Sequence, residues 1–293
     1  MNGENKKELT LNMLLALENI VPNEVMLIRH TKDYSKSASQ GSRQFFECFN
    51  MGYECIKEYT SIQKTDFASG KKYWAIFIGD KGTTARYYCT FRVVGKKALD
   101  KSQMSQNFPC PEMYDDNKAS KFIFEETDIM EDYRERLIIE WGKSTLQWAQ
   151  NAEKTDKRIA AITSPVFPGY ENLILTFGRL TDIINAPNRF SSYHEAMRKV
   201  QAVYLITDTS TGKMYVGSAT GKDGLWERWS DYAKTRDGGN VVLKSYLAKS
   251  PNAYTHFQYC VLQIFSMHTP KNDVIAAEYL YKRKLLISNF GMK

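Results

Sequence analysis

Apolar and polar positions alternate regularly over the last third of the chain, and this pattern predicts three strands and three helices. Two short apolar runs, residues 202–207 and 213–218, flank a polar turn, which is typical of an antiparallel hairpin. The stretch that follows has helical spacing and is interrupted by Gly238 and Gly239, which favour a helix end. The predicted elements are strands over 202–207, 213–218 and 257–265 and helices over 223–234, 241–249 and 271–287.

The first part of the chain is richer in aromatic and β-branched runs, which predict strands. Residues 73–79 and 85–94 are two such runs joined by a glycine-containing turn, so a hairpin is expected there. The remaining predicted elements are short strands over 122–124, 137–141 and 170–177 and a helix over 8–22. We therefore interpret this part as a β-rich α+β domain.

A polar stretch with a proline, residues 185–192, separates the two patterns. We place the boundary near residue 195, which predicts one domain over 1–195 and a second over 196–293. The charge distribution also differs between them. The 293 residues carry 40 Lys+Arg against 33 Asp+Glu, a formal net charge of +7, and residues 200–293 alone hold twelve against seven. The basic excess in the last third makes a polyanionic partner plausible there.

The overall composition excludes several classes of protein. With 43% hydrophobic and 25% charged residues, the chain has a globular composition and is not a mainly disordered protein. No stretch approaches the roughly 20 apolar residues that a membrane-spanning helix needs. The polar first residues are unlike a signal peptide. The five cysteines form no CxxC pair, which argues against a disulfide framework or zinc ribbon and favours a cytoplasmic location.

The last third of the chain contains a set of candidate functional residues. The order of these residues along the chain is a more specific signal than any single one of them. The candidate catalytic residues are Tyr204, Tyr215, Arg228, Tyr232, Glu278 and Asn289, supported by Lys213 and Gly217. Tyr204 lies on the first strand of the hairpin and Tyr215-Val216-Gly217 on the second. This ordered set resembles the GIY-YIG nuclease superfamily over about residues 200–293. Ala202-Val203 stands where the first motif of that family has Gly-Ile.

The resemblance implies a three-stranded antiparallel sheet flanked by helices, and hydrolysis of phosphodiester bonds with one divalent metal. Glu278 falls on the family's metal ligand, which implies Mg²⁺ or Mn²⁺ as the cofactor. We therefore expect a metal-dependent DNA endonuclease of the restriction or phage-defence type. The chain shows one such site and a duplex has two strands, so a homodimer is expected, at least on DNA.

The residue types support this chemistry independently of the resemblance. Arg228 and Tyr232 are four residues apart and share one helical face, where an arginine can bind a phosphate in bidentate fashion. Glu278 lies on the apolar face of its predicted helix, and a carboxylate there is costly unless it is paired or binds a cation. As a proton acceptor, Tyr204 needs a nearby cation such as Lys213 or Arg228, because an ordinary phenol has a pKa of about 10.

The aromatic residues of the first domain are a second set of candidates. Residues 73–79 and 85–94 weakly resemble strands of PUA-like barrels, a group that includes readers of modified bases. That resemblance implies a barrel with an aromatic pocket for a base extruded from DNA, such as a modified cytosine. The candidate base-binding residues are Trp74, Tyr87, Tyr88 and Trp141. Packing in a hydrophobic core is the competing interpretation for these residues and is the one that we favour.

Two other functions remain open from the sequence. One is a DNA repair or structure-specific nuclease, which would prefer flaps, bulges or damaged strands. The other is a DNA-binding module with a degenerate, inactive nuclease domain, for which the altered Ala202-Val203 pair is the supporting feature.

Overall fold

The computed structural model describes residues 8–32, 35, 39–80, 82–142 and 147–292. The chain divides into two compact units, one of Met1–Phe49 with Glu54–Ser164 and one of Asn50–Tyr53 with Pro165–Lys293. Both units combine helices with a sheet, so the α+β class is confirmed. Within the described ranges, no helix is long and apolar enough to cross a membrane.

The first unit is built around a mixed sheet. Its strands are β1 (Val25–His30), β2 (Ile62–Lys64), β3 (Tyr73–Gly79), β4 (Thr84–Ala98), β5 (Ala119–Glu126), β6 (Leu137–Glu140), β7 (Ala149–Asn151) and β8 (Ile159–Ile162). The path β2-β5-β4-β3-β1-β7 has a branch in which β6 joins β4 to β8. The expected hairpin is confirmed, since β3 and β4 pair antiparallel, whereas β1 and β3 are parallel.

Three helices accompany this sheet: α1 (Leu11–Leu17), α2 (Gln40–Met51) and α3 (Tyr53–Ser61). The buried face of α1 packs Leu11 and Leu14 into a core that also contains Phe77 and Trp141. The strand path given by the described residues is open and branched, so the predicted PUA-like barrel is not confirmed.

The second unit contains a four-stranded antiparallel sheet and six helices in the described part of the chain. Its elements are β9 (Ile174–Thr176), α4 (Phe177–Asn185), α5 (Ser191–Arg198), β10 (Val200–Asp208), β11 (Lys213–Ala219), α6 (Gly224–Thr235), α7 (Val241–Lys249), β12 (Phe257–Ser266), α8 (Lys271–Lys284) and α9 (Ile287–Phe290). The strand order is β11-β10-β12-β9. β10 pairs on one side with β11, its partner in the predicted hairpin, and on the other side with β12, the predicted third strand.

The expectation of three strands is corrected by β9, which pairs with Gln258–Cys260 of β12 and adds a fourth. The strand predicted over 170–177 is confirmed in part, since only three of its residues form β9, and Ile174 is 63% exposed. Its position is decided by pairing with β12, a contact between segments far apart in the chain.

The boundary predicted at residue 195 falls inside α5 rather than between the compact units, which divide at Ser164 and Pro165. Tyr193 and Met197 of α5 are buried in the same core as Tyr204 of β10. The polar stretch 185–192 connects α4 to α5 within the second unit. A polar turn between two short helices has the composition of a linker, which explains the displaced boundary.

The sheet of the second unit separates two layers of side chains. Successive residues of a strand point to opposite faces. On one face, Tyr204 and Ile206 of β10 join the large core beneath α6. On the other, Val203 and Val216 pack against Val274 of α8. The candidate residues on these strands are therefore assigned to one face or the other by their parity.

Candidate functional site

Gly217 brings the first two tyrosines of the predicted motif together. It pairs with Tyr204 across the β10–β11 ladder, so both lie on the α6 face. A methyl group on Gly217 would lie 2.5 Å from the Tyr204 hydroxyl oxygen and 2.8 Å from Cε1 of Tyr215. Such distances are far inside van der Waals contact, so two aromatic rings occupy the space of the missing side chain. The spacing Tyr-x-Gly is a packing requirement at this position.

Arg228 is the centre of a hydrogen-bonded group that we call the Arg228 cluster, formed by Tyr204, Arg228, Tyr232 and Gly238. The Tyr204 and Tyr232 hydroxyls share a hydrogen bond of 2.9 Å. Arg228 donates from Nε to the Tyr204 hydroxyl over 3.2 Å and from Nη1 to the Gly238 carbonyl over 2.7 Å. Its guanidinium carbon also lies 4.8 Å from the centre of the Tyr232 ring. The predicted association of these three side chains is therefore observed.

Gly238 allows the cluster to close against the end of α6. Its φ is +57°, and a Cβ there would lie 2.6 Å from the Tyr232 ring. Glycine adopts this left-handed conformation without a steric penalty. The backbone therefore turns close enough to Tyr232 for the Gly238 carbonyl to accept from Arg228.

Tyr215 is held by Asn240, the residue that precedes α7. The Asn240 side chain accepts hydrogen bonds from the backbone N–H groups of Val242 and Leu243, which caps α7. Its Nδ2 donates to the Tyr215 hydroxyl over 2.9 Å. One amide group therefore starts a helix and positions a phenol. Since Tyr215 is half-buried, its hydroxyl is more accessible than that of Tyr204.

Burial keeps Tyr204 and Tyr232 in the neutral phenol form. Burial raises the pKa of both hydroxyls above the ordinary value, and the opposing effect of Arg228 is smaller. The pKa of Arg228 is raised by Tyr204 and Tyr232 despite the opposing effect of burial, so the guanidinium stays charged. Tyr204 is therefore suited to holding Arg228 by a neutral hydrogen bond, and its burial disagrees with a role as proton acceptor.

Glu278 belongs to a different group of contacts. Its carboxylate accepts from the Ser218 hydroxyl over 2.5 Å and pairs with Lys282 over 2.5 Å. Ser218 is the cross-strand partner of Val203, so this contact lies on the α8 face of the sheet. The structure thus places Glu278 and the Arg228 cluster on opposite faces of β11, at adjacent residues of the strand.

The two remaining predicted residues, Asn289 and Lys213, have other observed partners. Asn289 is in α9, where its side chain accepts from Ser288 over 3.2 Å. Lys213 is exposed at the start of β11, with its ammonium 5.6 Å from the centre of the Tyr246 ring. Neither is hydrogen-bonded to the Arg228 cluster.

Glu278, the predicted metal ligand, has the Ser218 hydroxyl beside it as a second oxygen atom. Over the described ranges, no group of three or more His, Cys, Asp or Glu side chains converges as a metal site would require. Mg²⁺ is commonly bound through one or two carboxylates, with water and phosphate oxygens completing its shell. One carboxylate beside a hydroxyl fits that mode, and the ion pair with Lys282 competes with it.

The aromatic residues predicted to hold a base are core residues of the first unit. Each of Trp74, Tyr87, Tyr88 and Trp141 is almost completely buried. Tyr87 donates to the Ile129 carbonyl over 2.7 Å, and the Trp141 indole donates to the Gln147 carbonyl over 2.9 Å. Trp74 contributes to the wall of a cavity of about 330 Å³. Together they form packed interior rather than an exposed stacking platform.

Sequence reasoning missed Gly238, Asn240 and Ser218 as members of these sites. A glycine pair after a helix and an asparagine before the next one indicated a turn and a cap. Their second contacts, to Arg228 and Tyr215, depend on how α6 and α7 pack on the sheet. No local signal in the sequence carries that information.

We predict that Gly217→Ala destabilises the second unit by about 1–3 kcal/mol, because an added methyl forces the two tyrosine rings apart. Urea unfolding followed by hydrogen exchange of β10 and β11 amides would measure the loss. Gly95→Ala is the matched control, since a Cβ there would meet only Ile123 at an ordinary 3.7 Å. Equal stability of the Gly217 and Gly95 variants would contradict the packing role of Gly217.

Comparison with known proteins finds little. No protein-family model matches the chain, and no curated protein matches it. Among solved structures, it is similar to the catalytic domain of the intron endonuclease I-TevI, in a mutant form. The sequence identity is 22% and the TM-score is 0.26, over 32% of this chain and 92% of that domain. These comparisons by themselves assign the chain to no family.

Proposed function

We propose that this chain is a metal-dependent DNA endonuclease of the restriction or phage-defence type, active as a homodimer at least on DNA. The observation that carries the proposal is the state of Arg228. Its guanidinium is held by two neutral oxygen acceptors, those of Tyr204 and Gly238, so its charge is not cancelled by a carboxylate there. A guanidinium has five N–H donors, and a phosphate oxygen is a strong acceptor for those that remain.

Within the proposal, the residues around Arg228 divide into two roles. Tyr204 and Tyr232 are positioning residues, since they are buried and hold the guanidinium through one hydrogen bond and one ring face. Tyr215 is the phenol that reaches the substrate. Because Asn240 donates to its oxygen, the Tyr215 O–H is directed away from Asn240 and can donate to a phosphate.

The position of β11 at the end of the strand path supports a substrate along this edge. A phosphodiester lying there would meet Arg228 and Tyr215 from one face and Glu278 from the other. In the described residues, β11 is paired on that side through a single β-bridge, between Met214 and Gly291. The basic excess of the last third favours such an approach of a polyanion.

Glu278 is the proposed ligand of Mg²⁺ or Mn²⁺, with Ser218 beside it. When bound, the metal would supply charge neutralisation at the phosphate and stabilisation of the leaving oxygen. Ser218 donates to one carboxylate oxygen and Lys282 pairs with the other, so the side chain is oriented before any metal arrives. Asn289 and Lys213 have no assigned role in this arrangement.

We predict that Arg228→Lys lowers the rate of plasmid nicking about 100-fold, because lysine cannot make the bidentate phosphate contact. Steady-state nicking in Mg²⁺ would measure the rate, and circular dichroism would verify folding. Lys234→Ala is the control, since it removes an exposed cation from the same helix. Nicking by a well-folded Arg228→Lys variant at the wild-type rate would disprove the assignment.

A second candidate function is a DNA-binding module without catalysis. Two observations favour it: Tyr204 is completely buried, and the Glu278 carboxylate is already engaged by Lys282. Such a module would retain the phosphate contact of Arg228 and lack turnover. The two functions differ in what removal of the Glu278 charge does.

We predict that Glu278→Gln lowers the rate of DNA cleavage about 100-fold or more. Binding of DNA without metal is expected to be retained. Lys282→Met, which removes the competing ammonium, is expected to lower the Mg²⁺ concentration that gives half-maximal cleavage. Asp231→Asn, an exposed carboxylate of α6, serves as the control. If wild type binds DNA and cleaves nothing in Mg²⁺ or Mn²⁺, the binding-module function is correct.

We propose further that the first unit selects the DNA and that the selection depends on base modification. The order of a non-basic aromatic-rich unit before a basic one supports a division between choosing and cutting. Recognition of bases by the first unit requires a pocket, because the net charge of this unit does not attract DNA.

We predict that cleavage of phage DNA carrying methylated, hydroxymethylated or glucosylated cytosine exceeds cleavage of unmodified DNA by at least about tenfold. A panel of these DNAs with Mg²⁺, scored by initial rate, would measure the preference. Equal rates on all of them would reject modification dependence. Preferential cleavage of flaps or bulges in the same assay would identify a structure-specific nuclease instead.

A further inference from the structure

The first unit contains a polar cavity that none of the sequence candidates lines, and we call it the Arg29 pocket. Its volume is about 330 Å³, at the lower end of small-ligand sites. It lies where β1 ends and α2 begins. The lining residues that matter below are Arg29, His30, Ser42, Phe45, Tyr59 and Trp148.

Arg29 is an unusual residue for a protein interior. Its side chain is 5% exposed, and its Nε is buried without a hydrogen-bond partner. Nη1 donates to the Thr31 hydroxyl over 2.8 Å, and no Asp or Glu in the described residues forms an ion pair with it. A buried cation without a counter-charge is costly. The cost is understandable if an anionic or acceptor-rich ligand completes the site.

The backbone beside Arg29 leaves space for its guanidinium. A Cβ on Gly79 would lie 2.7 Å from Nη2 of Arg29, so the glycine at the end of β3 is what admits the side chain. The first turn of α2 brings Gly41 and Ser42 to the same cavity. A helix N-terminus carries partial positive charge, so it adds to the preference for a negative or acceptor group.

The remaining walls are flat and aromatic. His30 stacks on Phe45 with ring centres 4.4 Å apart, and Tyr59 meets both rings edge-on at 5.4 Å. Burial lowers the pKa of His30 to about 3, so its ring is neutral at physiological pH. Trp148 is 39% exposed and stacks one face on Phe67. The Arg29 backbone N–H donates to the Trp148 carbonyl over 2.7 Å, and both residues line the pocket.

We propose that the Arg29 pocket binds a nucleotide, with its planar base against the aromatic walls and an acceptor oxygen on Arg29. Aromatic side chains stack any nucleobase, and a guanidinium pairs with a base carbonyl or a phosphate oxygen. The same chemistry is offered by a free nucleotide and by a nucleotide extruded from DNA. The proposal does not require the second unit to be a nuclease.

The test measures binding to the full chain without divalent metal, so cleavage does not enter. Titration calorimetry with dCMP and dGMP tests free nucleotides, and a duplex containing 2-aminopurine reports extrusion through its rise in fluorescence. Arg29→Met should weaken binding of the bound form about tenfold, and Trp148→Ala about fivefold or more. Arg92→Met is the control, because Arg92 is exposed and paired with Glu125.

Each outcome has a defined meaning. Saturable binding of dCMP or dGMP that both substitutions weaken supports a free nucleotide as the ligand. A fluorescence rise in the duplex that both substitutions abolish supports an extruded one. Trp148→Ala decides the matter if Arg29→Met does not fold, since Trp148 is partly exposed. Binding unchanged within twofold in the folded variants, binding absent in both arms, or inorganic phosphate binding as tightly as dCMP would overturn the proposal.

Discussion

The proposed site of the second unit depends on one part-buried hydrogen bond, from the Arg228 guanidinium to the Tyr204 hydroxyl. A charged donor in an interior is tolerable only when neighbouring groups satisfy it. Here the neighbours are neutral, because Tyr204 and Tyr232 are held as phenols by their burial. To hold the cation without neutralising it, the tyrosine rings must lie very close to the backbone at two positions. Gly217 and Gly238 provide that closeness by having no side chain.

The sheet then decides how the rest of the chemistry is distributed. Even- and odd-numbered residues of β11 face opposite layers. Gly217 therefore lies against the tyrosine rings, and Ser218 donates a hydrogen bond to Glu278 on the other face. Two groups that no single helix or strand could present together meet at the end strand of a sheet. In the proposed function, a phosphodiester at this edge would be reached from both layers, whereas one lying on either face would meet only one. The proposed function therefore depends on β11 being the end strand.

The two units hold a half-buried arginine, Arg228, and a buried one, Arg29, in a similar way. Arg228 and Arg29 both have neutral hydrogen-bond partners. A glycine leaves space for the Arg29 guanidinium itself, and two glycines leave space for the tyrosine rings around Arg228. They differ in their surroundings, because Arg228 is flanked by the phenols of Tyr204 and Tyr232 whereas Arg29 lines an aromatic cavity. Each arrangement favours an acceptor supplied from outside the protein. The proposals for the two units use this same electrostatic argument and remain separately testable.

Much of the second unit was determined by local pattern. The strands and helices of residues 200–287 were predicted because alternation and helical spacing are properties of neighbouring residues. The proximity of Arg228 and Tyr232 followed from helical periodicity. Two expectations differ from the structure: the stretch 185–192 connects two helices of one unit, and the predicted strand 170–177 contributes a fourth strand through its pairing with β12.

The sequence by itself determined which residue types are available and which neighbours along a strand or helix share a face, because those follow from backbone geometry alone. Only the tertiary structure decided that Asn240 holds Tyr215, that Glu278 lies across the sheet from Arg228, and that four candidate aromatics are interior. It also created the Arg29 pocket, whose members come from strands and helices far apart in the chain. Such contacts depend on the packing of whole elements, which short-range pattern does not encode.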